Sequence, residues 1–158
     1  MNQNSPDELL AALAAERAAL AGFVTLLEHE QEMLVENRTD PLLALSGQKT
    51  GAALALHELA ETRRSLLRQH IPQPTADSAN AWLARHSQEG LANWQEMLTL
   101  AKRAQQLNRT NGELVHMKLR HNQQAFAVLS NAVNRVHLYG PNGHPSFTPG
   151  SGRSLGRG

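Results

Sequence analysis

Between Leu91 and Val136 the chain repeats along a row of alternating three- and four-residue steps without a break: Leu91, Trp94, Leu98, Ala101, Gln105, Asn108, Gly112, Val115, Leu119, Asn122, Phe126, Leu129, Val133, Val136. That period returns side chains to one face of an α-helix and of nothing else. Ten of the fourteen positions are apolar, and three of the four exceptions, Gln105, Asn108 and Gly112, are consecutive. Leu100, Leu107, Leu114 and Val128, spaced in multiples of seven, form a neighbouring row that carries apolar surface across the gap. A helix over 88–138 would be about 75 Å long at 1.5 Å per residue.

Two shorter stretches precede it. Ser5-Pro6-Asp7-Glu8 supplies a capping hydroxyl, a proline for the first helical position and a glutamate three residues after the cap. The stripe Leu10, Leu13, (Arg17), Leu20, Val24, Leu27, (Gln31), Leu34 follows, widened by Leu9, Phe23, Leu26 and Met33 as in a helix with two neighbours. Asn37-Arg38-Thr39-Asp40-Pro41 ends this first helix, predicted over about 6–36, and caps the second, predicted over about 41–69. The second stripe is Leu42, Leu45, (Lys49), Ala52, Leu56, Leu59, (Arg63), Leu66. Gly47 and Gly51, one turn apart, either admit a close neighbour or are tolerated surface glycines. Ile71-Pro72-Gln73-Pro74 stops the helix. A third begins near a cap at Asp77 or Ser78 and is predicted over about 78–138. The first two helices would each span only about 45 Å, so the third either breaks near Asn111-Gly112 or overhangs.

The expectation is therefore all-α: an antiparallel bundle of three to four long helices over 1–140, with a disordered C-terminal tail over 141–158. Composition agrees, because aromatics are 4% of the chain and residues that lose little rotamer freedom in a helix dominate. From Gly140 onward there are six Gly, three Pro and a lone Phe147, too little apolar surface to offset ordering. No run of eighteen residues is wholly apolar and the N-terminus is acidic, so neither a membrane span nor a signal peptide is expected. Absence of cysteine excludes disulfides and thiolate chemistry. Residues 1–37 hold seven acids and one base, whereas 38–137 hold twelve bases and seven acids. This asymmetry suits pairing inside a bundle. Nucleic-acid binding is not expected, since no basic face or motif marks it.

A search for chemistry leaves little. His57-Glu58 lacks the second histidine of a zinc helix, and Glu113-x-x-His116 lacks the second pair of a di-iron bundle. Neither a phosphate loop nor a nucleophile elbow occurs. Catalytic residues, metal and cofactor are all expected to be none. Lys49 and Arg63, on the second stripe, either carry their charges to the bundle edge or make interhelical polar contacts. The apolar surplus on the helices fits a protein that receives an amphipathic helix from a partner, or a structural or self-associating bundle such as a homodimer.

Read in order, helix two carries Leu42-x-x-Leu45-x-x-x-Lys49 and Leu59-x-x-x-Arg63-x-x-Leu66-Leu67, and helix three carries Trp94, Asn108-x-x-Asn111-Gly112-x-Leu114-Val115 and a closing Tyr139-Gly140-Pro141-Asn142-Gly143. This order resembles the FlgN family of bacterial flagellar type III export chaperones across roughly residues 8–143. The Asn-x-x-Asn-Gly and Tyr-Gly-x-x-Gly elements are the most specific. The resemblance implies a cytoplasmic chaperone, not an enzyme. It would bind the C-terminal amphipathic helices of hook-associated (hook–filament junction) proteins and deliver them to the cytoplasmic domain of the export gate protein. It implies client binding by Val115, Leu119, Phe126, Leu129, Val133 and Val136, and gate docking by Tyr139. The Gly/Pro tail over 144–158 departs from the family pattern, and the resemblance assigns it no role.

Overall fold

The computed structural model describes residues 6–138, with side chains described through Asn131 apart from Ala125. The described residues form four helices and no strand: α1 (Pro6–Val35), α2 (Leu42–His70), α3 (Ala76–His86) and α4 (Gln88–Leu138). Ser5, the expected cap of α1, and the stretch 141–158 lie outside the described residues.

Sequence chemistry sets the helix ends. Past Val35, Asn37 takes a left-handed φ of 57°, Arg38 N donates to Met33 O at 2.9 Å and Asn37 N to Leu34 O at 3.3 Å. That is a Schellman ending with Asn where Gly is usual. Pro41 caps α2 without a side-chain bond. The cap of α3 is Thr75, two or three residues earlier than expected, with Thr75 and Ser78 bonding each other reciprocally. The region predicted as one helix over 78–138 is thus two, separated at Ser87, whose extended backbone (φ −162°) interrupts the path. Through Asn111-Gly112, where a break was weighed, α4 is continuous.

The chain divides into two compact units, 1–114 and 115–158. In the first, Leu9, Leu13, Leu66, Leu67, Ile71, Ala79, Trp82, Leu83, Trp94 and Met97 form one core cluster, to which all four helices contribute. A second cluster, Val24, Leu27, Ala104 and Leu107, joins α1 to α4 alone. Each fully buried leucine contributes about 1.5–3 kcal/mol. Trp82 lies between His70 and His86, with ring centroids at 5.0 and 4.0 Å.

The buried face of α1 follows the stripe read by periodicity through Leu13, Val24, Leu27 and Leu34, with Leu9 and Glu16 more deeply buried than Leu10 and Arg17. On α4 the buried face is one step away from that stripe. In α4 it runs Trp94, Met97, Ala104, Leu107, Asn111, while Leu98, Ala101, Gln105, Asn108 and Gly112 are exposed. The apparent polar gap is simply the solvent side of this segment. A three-four row can leave Trp94 through either Met97 or Leu98, and apolar residues occupy both tracks. The glycines sort similarly. Gly47, Gly51 and Gly112 have open space where a Cβ would be, whereas a Cβ at Gly90 would collide with Leu10 Cδ2 and stand 3.2 Å from Leu83 Cδ2.

Two polar nodes tie three helices together. Glu16 accepts from Arg63 Nε at 2.7 Å, and the Arg63 guanidinium lies 5.5 Å from the Trp94 ring centroid. Glu30 accepts from Lys49 Nζ at 3.1 Å and from Asn111 Nδ2 at 2.8 Å, and Asn111 Nδ2 also donates to Leu27 O at 2.9 Å. Each node takes an acid from α1, a base from α2 and a third residue from α4. Lys49 and Arg63 therefore make interhelical contacts. The acidic first helix finds its bases there and, more weakly, in the exposed Glu28–Arg103 pair at 3.7 Å.

No eighteen consecutive residues of α1 are apolar, yet by length and composition it is apolar enough to cross a membrane, because alanines dilute its charges. In this fold it spends Leu9, Leu13 and Leu27 on the core and Glu16 on Arg63.

Candidate functional site

Helical spacing carries Val115, Leu119, Phe126 and Leu129 along one side of α4 in the second unit, and all four are exposed. Phe126 and Leu129 reach 74% and 64% of full accessibility. An isolated exposed leucine needs no explanation, but a row of large apolar side chains along a single helix marks a surface that another molecule covers. Asn122 interrupts the row without adding charge. Such a face offers no directional chemistry. It can hold a complementary apolar stripe, with specificity set by register and by the charges that flank it, Lys118 and Arg120 among them.

Of the residues expected to bind a client, these four are placed together. Val133 and Val136 belong to α4, but their side chains are outside the described set, and Tyr139 lies outside the described residues altogether. Exposed Met117 and Val128 were not expected as site residues. They lie eleven residues apart, on one face of α4 but across the helix from the row, so the segment presents apolar groups in two directions. Their spacing was the signal: Leu107, Leu114 and Val128 share a row that the three-four reading treated only as a bridge.

The motif residues behave differently from the row. Lys49, Arg63, Trp94 and Asn111 are all members of the two polar nodes, so these four motif residues hold the helices in place. Asn111 is 2% exposed, its Nδ2 doubly bonded and its Oδ1 buried without a partner, while Asn108 and Gly112 of the same motif face outward. Glu113 and His116 are likewise on the surface.

The sequence profile of the family described as FlgN protein matches residues 1–146. The chain belongs to the FlgN family. A flagella synthesis protein FlgN of Yersinia enterocolitica is 28% identical over 152 residues, covering 95% of this chain and 97% of the relative. Another, from Yersinia enterocolitica serotype O:8 / biotype 1B (strain NCTC 13174 / 8081), is 30% identical over 139 residues, covering 87% and 88%. No solved structure matches. FlgN membership gives the chain a role in flagellar biogenesis, in a family not known for catalysis. It also covers both units, so the polar nodes and the α4 row fall within the FlgN region.

Proposed function

We propose that this FlgN-family chain is a cytoplasmic export chaperone that binds hook-associated proteins and delivers them to the flagellar type III export gate, without catalysing a reaction. The observation that carries the reading is the exposed row Val115, Leu119, Phe126, Leu129 on a helix whose first half is anchored in the core. A client's C-terminal segment, when it is an amphipathic helix-former, would lay its apolar stripe along that row and so stay soluble and unassembled. Val133 and Val136 would continue the row, and Tyr139 would contact the cytoplasmic domain of the gate protein.

The test is co-purification of the tagged chain from flagellated cells, followed by mass spectrometry. Recovery of hook-associated proteins is the expected result. Recovery of the bait alone as a stable dimer would favour a self-associating bundle. In the same assay Phe126→Ala and Leu129→Ser should each weaken client recovery while leaving the thermal midpoint nearly unchanged, because both side chains are already in solvent. Loss of the fold in both variants would assign the row to a core and remove it as a client surface.

A further inference from the structure

The C-terminal half of α2, the start of α3 and the first half of α4 enclose a recess of about 360 Å³. It lies wholly in the first unit, apart from the α4 row. Its lining sorts into two chemistries. Arg63, Arg64 and Arg68 supply guanidinium groups, and Leu67, Pro74, Trp94 and Leu98 supply an apolar wall, completed by Thr75 and Ala76 at the N-terminus of α3. None of the described residues that line it carries a carboxylate.

The three arginines are not equally engaged. Arg63 belongs to the node with Glu16 and Trp94. Arg64 reaches back to Glu61 at 2.6 Å, a half-exposed pair within one helical turn that an incoming carboxylate can replace. Arg68 has no ion partner among the described residues. The α3 N-terminus adds its partial positive charge to the same side. Leu98, 42% exposed, leaves apolar surface open beside these cations.

We propose that this recess is a second docking site, for an acidic, apolar-flanked peptide segment of a protein partner: Arg64 and Arg68 take its carboxylates, and Leu98 takes a neighbouring apolar side chain. Guanidinium forks match carboxylates in two-bond geometry. A lone inorganic anion would satisfy the arginines but leave Leu98 wet. A nucleic-acid backbone needs a longer basic track than one and a half turns of α2 provide.

The experiment is calorimetric titration of the full chain with a terminally blocked peptide, Ac-LEELLEEL-NH2, against its Gln-for-Glu counterpart and against inorganic phosphate. Arg64→Gln combined with Arg68→Gln should weaken the acidic peptide by about tenfold or more, and Leu98→Ala should weaken it further. Arg85→Gln, which removes one charge from exposed α3 surface, should leave binding unchanged. Circular dichroism checks that each variant stays helical. The proposal is overturned if the wild-type chain fails to bind the peptide at millimolar concentration, if the double arginine variant binds it as wild type does, or if the Gln peptide binds equally. Phosphate competing as strongly as the peptide, with Leu98→Ala indifferent, would reduce the recess to a simple anion hole and would also overturn it.

Discussion

Removing the Glu16 carboxylate would leave the Arg63 guanidinium, 16% exposed, without its partner between α1 and Trp94. Breaking such a pair from one side costs about 3–5 kcal/mol at full burial, so Glu16→Ala should destabilise the chain by roughly 3 kcal/mol. Replacing both partners by apolar residues, Glu16→Leu with Arg63→Met, should recover most of the loss. Urea denaturation of the two variants measures both. A double variant no more stable than the single one would mean that Arg63 acts mainly through its stack on Trp94. Tyr139 carries the other residue-level prediction, and it concerns the proposed delivery step. Tyr139→Ala should leave client recovery intact but weaken attachment to the export gate by about 1–2 kcal/mol, the scale of an interface hot spot. Equal recovery of gate protein in pull-downs with wild-type and mutant chaperone–client complexes would remove Tyr139 from the docking role.

Among the elements, the α1–α2 turn is the most open to a quantitative test. Asn37 sits at φ 57°, a conformation that costs a β-branched residue about 1–2 kcal/mol. Asn37→Val should lower stability by that amount, and Asn37→Gly should hold or slightly raise it, as thermal unfolding would report. The two long helices and this turn were legible in the sequence because Pro, Asn and the leucine spacing act locally. The separate α3 was not: Ser87 is a favoured cap and accepts from Gly90 N at 3.0 Å, but the apolar period resumes beyond it and hides the boundary. The buried track of α4 was misread for a related reason. Leu98 and Met97 both continue a helical row from Trp94, and only packing in the four-helix core cluster selects Met97. The exposed row at Val115–Leu129 was readable because it continues the outward three-four track of α4. The basic recess was not readable at all, for it needs three helices that meet only in the fold.

At the scale of the whole molecule, stability should be distributed unevenly along α4. From Ala104 to Asn111 the helix has buried side chains in the second cluster and the Glu30 node. From Leu119 to Asn131 the described side chains are all exposed, and a helix without packing is marginal in water. Native-state hydrogen exchange should therefore show amides over 104–111 protected close to the global unfolding limit and those over 119–131 exchanging orders of magnitude faster. Under the chaperone reading, adding client should slow the second group selectively. Uniform protection along α4 in the free protein would show that the row is covered in solution by another copy.

Glu16 and Glu30 stand fourteen residues apart on α1, and Lys49 and Arg63 stand fourteen apart on α2. Between them the two helices are rich in Ala and Leu, a sequence so repetitive that sliding one helix by a turn or a heptad would bring apolar groups to apolar groups almost as well. The ionic pairs do not tolerate such a slide. A shift by one heptad separates both at once, and in one direction sets Glu16, Glu30 and Arg63 opposite Leu56, Leu42 and Leu9, and Lys49 opposite Phe23. The hairpin thus behaves like a plug with two pins: one pin would fix position but permit sampling of neighbours, and two at equal spacing admit a single insertion. The same spacing that holds the native hairpin also makes its near-copies costly, which leaves Leu27 and Leu45 free to be ordinary leucines.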